Sequence, residues 1–250
     1  MHFSDLMQHI PRPFSADHGY EARQFFAADG EEIQNFVAAV AGSSPYLKGL
    51  IEKEHLWLRG AFAQPDAALE VELSDLKATA ARDLMSALRR VKRRVALWTA
   101  LCDLAGVWSL EEVTAALSKF ADLACQMSLN HALKVQLQRG KIPTRKAKMD
   151  PAELGMFVLA MGKLGANELN YSSDIDLICF FDESYFASVD VFEARAGFIR
   201  ATKNMVALLN DITAEGYVFR TDLRLRPDPS VTPRGLAANA NRFETHSPQL

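Results

Sequence analysis

The chain is poor in the residues that mark disulfide-rich, zinc-binding and membrane-spanning proteins. It has three cysteines and six histidines in 250 residues, and neither a CxxC nor an HxxxH spacing occurs among them. No apolar run reaches the roughly 18 residues of a membrane helix, and the N-terminus lacks the basic and apolar segments of a secretory signal. The cysteines lie far apart in apolar segments, which indicates buried thiols in a reducing compartment. We therefore predict a cytoplasmic protein with no zinc site and no membrane contact.

An excess of charge of one sign is also missing. The formal net charge is −3, whereas proteins that coat nucleic acid usually carry a strong excess of lysine and arginine. General nucleic-acid binding is therefore excluded, and we predict no nucleic-acid partner. With 49% hydrophobic residues, the chain is apolar enough to form one large domain or two smaller ones.

The first half of the chain, from about residue 20 to 140, has the periodicity of helices. Ser109 followed by Glu112 has the pattern of a capping box, which predicts that a helix begins there. An amphipathic helix is predicted just before it, because apolar residues recur at three- and four-residue spacing. The stripe comprises Leu84, Leu88, Val91, Val95 and Trp98.

A basic segment, LRRVKRR at residues 88–94, is the one local feature that could suggest nucleic-acid binding. Its cationic side chains occupy the positions that the apolar stripe leaves free, namely Arg89, Arg90, Lys92, Arg93 and Arg94. This arrangement is typical of a helix face that is solvated or turned to another domain, and we favour that interpretation. Because like charges four residues apart repel each other, we also expect an acidic neighbour on another surface.

Beyond Lys148 the periodicity changes. MFVLAM (156–161) and IDLICFF (175–181) predict strands, and the pattern from 191 to 215 predicts a long helix that ends before Gly216. YVFRTDLRLRP (217–227) alternates, with Phe219, Thr221, Leu223 and Leu225 on one face and Arg220, Asp222, Arg224 and Arg226 on the other. The predicted order is strand, turn with a short helix, strand, long helix, strand. We predict a helical region over 1–148 and a second domain over 149–233.

Three aspartates are the candidate catalytic residues. Asp174 and Asp176 lie on the same side of a strand, about 6 to 7 Å apart, and Asp222 would join them if its strand pairs beside 175–181. Three carboxylates without histidine or cysteine suit Mg²⁺ or Mn²⁺. Such ions are the usual device for in-line phosphoryl displacement. The alternative is a network of ion pairs in which the nearby arginines only neutralise the three aspartates.

Several residues around these aspartates could bind the phosphates of a nucleotide. Backbone N–H groups at Gly162, Lys163, Ser172 and Ser173 are candidates for a phosphate cradle. Charge-assisted bonds to anionic oxygens are expected from Arg220, Arg224 and Arg226. The chain contains no P-loop, no GxGxxG and no GxSxG.

Two long strings carry a resemblance to a known family: MGKLGANELNYSSDIDLICFF, residues 161–181, and GYVFRTDLRLRPDPS, residues 216–230. They closely resemble the glutamine synthetase adenylyltransferase and adenylyl-removing enzyme family, a branch of the nucleotidyltransferases that includes DNA polymerase beta. SSPYLKGLIEKE and the helical segment 88–122 resemble the N-terminal region of that family, so the resemblance covers about residues 25 to 233. It implies an α+β fold, with a helical region followed by a nucleotidyltransferase core built on a mixed sheet.

The resemblance also implies an activity. The N-terminal core of such enzymes removes AMP from a modified tyrosine of glutamine synthetase, with inorganic phosphate as the attacking group and ADP as the product. By this resemblance Asp174 and Asp176 would bind Mg²⁺ or Mn²⁺, Asp222 would be the third carboxylate, and Gly162 and Ser173 would contact nucleotide or phosphate. The implied ligands are ATP or ADP and phosphate, and the implied partners are glutamine synthetase and the PII signalling protein.

The chain departs from the family in two respects. The family's enzymes are several times longer, and after Pro233 the family pattern gives way to RGLAANANRFETHSPQL, residues 234–250. We expect a core that is incomplete at its C-terminus, followed by a disordered tail. Two alternatives stay open, namely a non-catalytic remnant that binds glutamine synthetase or PII, and a core that transfers AMP from ATP to the tyrosine. The same aspartates would serve either direction of the reaction.

Overall fold

A computed structural model describes residues 1–144, 149–224 and 237–238, and they form two compact units. The helical unit comprises Met1–Phe120 and Glu168–Tyr171, and the sheet unit comprises Ala121–Asn167 and the described residues from Ser172 onward. The units divide within one long helix, whereas the boundary predicted at residue 148 follows a change of sequence pattern. The predicted division into a helical region over 1–148 and a second domain over 149–233 stays a prediction. The predicted tail at 234–250 lies outside the described residues, apart from 237 and 238.

Seven helices begin in the first 120 residues, and the last of them continues into the sheet unit. They are α1 (Phe3–Leu6), α2 (Ala16–Gln24), α3 (Glu31–Ser43), α4 (Pro45–Ala63), α5 (Ala68–Lys77), α6 (Leu84–Leu104) and α7 (Leu110–Gln138). Only Ser44 separates α3 from α4; its hydroxyl accepts the backbone N–H of Leu47, and Pro45 occupies the first helical position. Across the described ranges, no helix combines the length and the apolar character needed to cross a bilayer.

Aromatic side chains form the centre of the helical unit. The ring of Phe3 lies 5.7 Å from Phe36, 5.2 Å from Phe62 and 5.1 Å from Trp98, measured between centroids, and all four side chains are buried. Rings of this size bury a large apolar area and account for much of the stability of a core. The short helix α1 is held because its one buried residue, Phe3, completes this cluster.

Helix α6 confirms the predicted apolar stripe, since Leu84, Leu88, Val91, Val95 and Trp98 are all buried. The interpretation of its basic residues needs one correction. Arg89, placed with the solvated or domain-facing positions, is 1% exposed. Its guanidinium donates a hydrogen bond to the backbone carbonyl of Met85, one turn earlier, while its stem packs in the core.

The predicted acidic neighbour of the basic segment is confirmed within the helical unit. Glu54 of α4 accepts bonds from Arg93 at 3.0 Å and from Arg94 at 2.8 Å, and Glu72 of α5 accepts from Arg94 at 2.7 Å. Arg94 also lies 5.2 Å from the ring of Trp57, within range of a cation–π contact. Arg93 and Arg94 of the basic segment are therefore paired with two nearly buried carboxylates and have a structural role within the helical unit.

The start of α7 confirms the predicted capping box. The Ser109 backbone N–H donates to the Glu112 carboxylate at 2.7 Å, and the Glu112 N–H donates to the Ser109 hydroxyl at 3.3 Å. These two bonds satisfy donors that a helix start otherwise leaves unpaired. The helix then continues to Gln138, and its second part, from Ala121, belongs to the sheet unit.

The sheet unit has the predicted order of elements and confirms the α+β class. It contains β1 (Met156–Met161), α8 (Gly162–Gly165), β2 (Ile175–Phe181), α9 (Val191–Asn210), β3 (Thr221–Asp222) and β4 (Ala237–Ala238). Strand β2 is central, pairing antiparallel with β1 and parallel with β3 and β4. The sheet is therefore mixed. One of its faces packs against α9, where the rings of Phe181 and Phe198 lie 4.9 Å apart.

The last predicted strand is much shorter than its alternating pattern suggested. Only Thr221 and Asp222 pair as a strand, while Leu225 and Arg226 lie outside the described residues. The Asp222 carboxylate accepts the backbone N–H of Arg224 at 2.8 Å, which is the hydrogen bond of an Asx turn. This bond competes with further pairing along β2, so the extended pattern ends soon after Asp222.

All three cysteines are buried and unpaired, as expected. Burial raises the pKa of the Cys102 thiol well above its usual range, and it raises the pKa of Cys125 to about 12 and of Cys179 to about 11. The thiols are therefore protonated at neutral pH and behave as small apolar groups.

We predict that Glu54→Gln destabilises the helical unit by about 3 kcal/mol, because removing one partner of a buried ion pair leaves the other charge uncompensated. Urea unfolding followed by tryptophan fluorescence measures this loss, since Trp57, Trp98 and Trp108 all belong to the helical unit. The matched control is Glu70→Gln, which removes an exposed pair with Lys119 and should cost less than about 1 kcal/mol. Equal losses in the two variants would contradict the prediction.

Candidate functional site

A glycine turn connects the first strand of the sheet to the short helix that follows it. Gly162 has φ +56°, a left-handed conformation that favours glycine. Gly165, at the end of α8, packs so closely on the backbone that an added Cβ would lie 2.5 Å from the carbonyl oxygen of Ala160. Both glycines are therefore needed for the chain to fold back tightly over the end of β1.

The carboxylate of Asp176 lies directly over this turn. The register of β1 and β2 places Met161 opposite Asp176, and a Cβ built on Gly162 would lie 3.0 Å from Asp176 Oδ2. Asp176 is half-buried. The glycine at 162 thus serves two purposes, since it permits the positive φ and leaves room for the carboxylate.

The pairing of β2 with β3 brings the second carboxylate beside the first. Ile175 pairs with Thr221 and Asp176 pairs with Asp222 in the parallel register. Residues in register on neighbouring strands point to the same face of a sheet, so Asp176 and Asp222 are neighbours on one face. Asp222 was expected to join the other carboxylates if its strand pairs beside 175–181. The structure meets this condition.

Asp174 is more exposed and is held by an arginine. It lies one residue before β2, and its side chain is 55% exposed. The Arg220 guanidinium donates to the Asp174 carboxylate and, at 2.9 Å, to the backbone carbonyl of Ser172. Arg220 therefore fastens the loop before β2 to the chain that leads into β3.

Asp222 is likewise held by an arginine, through both of its oxygens. Arg224 Nε lies 3.0 Å from Asp222 Oδ1 and 2.8 Å from Asp222 Oδ2, and a second guanidinium nitrogen donates to Oδ2. These bonds, with the backbone N–H of Arg224, hold the pKa of the Asp222 carboxyl below its usual range. Asp222 therefore stays ionised at neutral pH and is available as a negatively charged ligand.

The two alternatives drawn from the sequence both find support in this geometry. The ion-pair network exists for Asp174 and Asp222, and among the residues that the structure describes no three His, Cys, Asp or Glu side chains are gathered to hold a metal ion. Mg²⁺, however, is commonly bound by one or two carboxylates together with water and substrate phosphates. Asp176 and Asp222 are hard oxygen donors on one face, so they fit such an ion.

The other predicted phosphate-binding residues lie near the carboxylates in the sequence, and their side chains differ in exposure to water. Lys163 on α8 and Ser172 are exposed, whereas Ser173 is half-buried just before Asp174. Their predicted contacts with phosphate, and the roles assigned to Gly162, Arg220 and Arg224, stay predictions.

A positioning residue that the sequence did not reveal lies at the end of α9. Asn210 Oδ1 accepts the backbone N–H of Thr221 at 3.2 Å, and the carbonyl of Leu209 accepts the N–H groups of Val218 and Phe219 at 2.9 and 3.0 Å. The C-terminus of α9 thereby sets the position of β3. The sequence pattern predicted that this helix continues to residue 215, whereas α9 ends at Asn210, so the pattern did not single out this side chain.

A cavity in the sheet unit is separate from the carboxylates. It has a volume of about 450 Å³ and lies between α7 and the sheet, with Cys125 and Leu129 on one side and Val158, Ala160 and Leu177 on the other. Successive residues of a strand point to opposite faces. Leu177 therefore faces away from Asp176, and the cavity lies on the opposite face from the carboxylate pair.

The comparisons with known proteins assign the chain to a family. The sequence profile of glutamate-ammonia ligase adenylyltransferase matches residues 31–244. The chain belongs to this family. The matched residues belong to both units. They include the glycine turn, the three aspartates and the two arginines that bind two of these aspartates.

Curated relatives carry a consistent name. Proteins named bifunctional glutamine synthetase adenylyltransferase/adenylyl-removing enzyme are 42% identical over 213 residues in Bradyrhizobium sp. strain BTAi1 and 43% identical over 221 residues in Bradyrhizobium sp. strain ORS 278. The relative from Agrobacterium fabrum is 37% identical over 221 residues. Each match covers 83% of this chain and 22% of the relative. The chain thus spans about a fifth of the length of the family members that it matches.

We predict that Gly162→Ala destabilises the sheet unit by about 2 kcal/mol, because the side chain imposes backbone strain at positive φ and also meets the Asp176 carboxylate. Gly140→Ala is the matched control, since Gly140 has φ +62° but a Cβ there would meet nothing within 4 Å. It should cost about 1 kcal/mol, from the backbone alone. Urea unfolding followed by far-UV circular dichroism compares the two, and an equal loss would show that the close approach of Asp176 has no energetic weight.

Proposed function

We propose that this chain is a nucleotidyltransferase core that removes AMP from an adenylylated tyrosine of glutamine synthetase by phosphorolysis. The observation that carries the proposal is the pairing of Asp176 with Asp222 on one face of the sheet, over the glycine turn at Gly162. The names of the curated relatives support the choice of substrate, because they contain both glutamine synthetase and adenylyl removal.

The proposed reaction exchanges one phosphorus–oxygen bond for another. An oxygen of inorganic phosphate forms a bond to the adenylyl phosphorus, the bond from that phosphorus to the tyrosine oxygen breaks, and the tyrosine oxygen takes up a proton. The products are ADP and unmodified tyrosine. The reaction needs positive charge near the transferred group and a fixed line of attack, but no covalent intermediate with the protein.

The chain's own residues supply most of these requirements. Asp176 and Asp222, with Asp174 as a third candidate, would hold Mg²⁺ or Mn²⁺, which when bound stabilises charge on the entering and leaving oxygens. Arg220 and Arg224 lie beside these carboxylates and would bind the anionic oxygens of phosphate or ADP. Backbone N–H groups near Gly162, Lys163, Ser172 and Ser173 would orient the phosphates.

The setting and partners of this reaction are part of the proposal. The protein partner is glutamine synthetase, and the PII protein is proposed as a regulator on the strength of the family resemblance. Three buried, unpaired cysteines suit a reducing compartment, so we place the protein in the cytoplasm. No nucleic-acid partner is proposed, since Arg93 and Arg94 of the basic segment are already paired with Glu54 and Glu72.

A binding role without turnover is the second candidate. The observation that favours it is the pairing of Asp174 with Arg220 and of Asp222 with Arg224, because each arginine occupies oxygens that a metal ion would need. Transfer of AMP from ATP to the tyrosine is a third candidate with the same residues, since the carboxylates would serve both directions.

The experiment that decides among these candidates follows nucleotide release. Incubation of the chain with adenylylated glutamine synthetase, phosphate and Mg²⁺ should release ADP, and Asp176→Asn should lower the rate at least about a hundredfold, because metal stabilisation contributes several kcal/mol to such reactions. Glu193→Gln, in the first turn of α9, is the matched control and should leave the rate unchanged.

Each other result has a definite meaning. Binding of adenylylated glutamine synthetase without ADP release, in a sample shown to be folded, would favour the role without turnover. Consumption of ATP with labelling of unmodified glutamine synthetase would favour transfer. A rate that does not change in Asp176→Asn would contradict the role of the carboxylate pair.

A further inference from the structure

Two arginines hold carboxylates of the candidate site by the same oxygens that a metal ion would use. Arg224 contacts both oxygens of Asp222, and Arg220 contacts the Asp174 carboxylate. We propose that Arg220 and Arg224 exchange partners when a divalent cation binds. The cation replaces each arginine at its carboxylate, and the released arginine then binds the phosphate. This inference rests on the proposed function, and it adds that the two arginines make cation and phosphate binding depend on each other.

The exposure of these ion pairs makes the exchange accessible. The side chains of Arg220 and Asp174 are 58% and 55% exposed, and those of Arg224 and Asp222 are 84% and 21% exposed. Exposed ion pairs of this kind favour the paired over the separated state of the two side chains by only about one- to fivefold. Each arginine can therefore leave its carboxylate for water or another anion at small cost.

The buried ion pairs of the helical unit provide a contrast. Arg94 is 22% exposed, and its partners Glu54 and Glu72 are 5% and 7% exposed. Opening those pairs would leave a carboxylate buried without a partner, which is strongly unfavourable. In the sheet unit, Asp174 is 55% exposed, and Asp222, at 21%, is about three to four times as exposed as Glu54 or Glu72. Water and ions can therefore reach these carboxylates after an arginine leaves, so these pairs are suited to exchange.

The chemistry of the guanidinium selects the second partner. Its planar fork of N–H donors matches phosphate oxygens as well as carboxylate oxygens. A released Arg224 would lie next to the site where phosphate is expected, because Asp222 and Asp176 are paired across β3 and β2. The same side chain then opposes cation binding in one state and favours anion binding in the other.

A reciprocal effect follows from thermodynamic linkage. If a cation releases the arginines for phosphate, phosphate must raise the affinity for the cation by the same factor. The arginines would thereby disfavour binding of the cation alone and favour the joint binding of cation and phosphate.

The test measures Mn²⁺ binding to the full chain from the electron paramagnetic resonance signal of free Mn²⁺, with and without inorganic phosphate. Without phosphate, Arg220→Gln and Arg224→Gln should bind Mn²⁺ about two- to fivefold more tightly than the wild type. With phosphate, the affinity of the wild type should rise more than that of either variant. Arg195→Gln, which removes the part-exposed pair between Arg195 of α9 and Glu183, should match the wild type in both conditions.

Arg224→Lys separates exchange of partners from a simple effect of charge. Lysine keeps the positive charge but lacks the fork that holds both oxygens of Asp222. Exchange predicts tighter Mn²⁺ binding than in the wild type, whereas a charge effect predicts wild-type affinity and would overturn the proposal.

A measurement on the unaltered chain guards against variants that fold poorly. Addition of Mg²⁺ should shift the Nε–H resonances of two arginines in a nitrogen–proton correlation spectrum, since both Nε–H groups donate to carboxylates. Unshifted arginine resonances at saturating Mg²⁺ would overturn the exchange.

The outcomes distinguish this inference from the proposed function. Mn²⁺ binding that is lost in Asp176→Asn but is the same in the wild type and in both Gln variants would overturn the exchange and leave the metal site standing. Weaker binding in the Gln variants would also overturn it, because the arginines would then help to build the site. No Mn²⁺ binding by the folded wild type would overturn the proposed function and the exchange together.

Discussion

The pairing of β2 with β3 is the interaction on which the candidate site depends. It involves two residue pairs, Ile175 with Thr221 and Asp176 with Asp222, and the Ile175 N–H donates to the carbonyl of Arg220 at 2.9 Å. So short a strand contributes few hydrogen bonds of its own. Its position is set instead by the end of α9, where Leu209 and Asn210 accept three backbone N–H groups from the segment that leads into it. The distance between the two carboxylates is therefore controlled by a helix that carries neither of them.

The sheet that carries the carboxylates has two unlike faces. One face is covered by helices and includes the buried residues Leu177, Cys179 and Phe181. On the other face, next to Asp176, the β1 side chains Phe157, Leu159 and Met161 are 40%, 45% and 40% exposed. The charged site thus lies at the border of an apolar surface, and the architecture of the sheet places it there.

Much of this arrangement could be predicted from the sequence. Short apolar runs indicated the strands at 156–161 and 175–181, and three- and four-residue spacing indicated the buried stripe of α6. The capping box at Ser109 followed from a serine with a glutamate three residues later. Each of these signals reflects a local rule. The length of β3 and the burial of Arg89 could not be predicted, since each depends on a hydrogen bond to nearby backbone that competes with the simple pattern. The arginine partners of Asp174 and Asp222 were foreseen only as an alternative to a metal site, because spacing along a strand does not distinguish the two.

The burial of the thiols has a practical consequence for labelling. Cys102, Cys125 and Cys179 are 1%, 8% and 1% exposed, and their raised pKa values keep them protonated, whereas maleimides and iodoacetamide react with exposed thiolates. The native chain should therefore react slowly with such reagents. A cysteine introduced on an exposed surface would become the preferred attachment point for a spin label or fluorophore, without removal of the natural cysteines from the two cores.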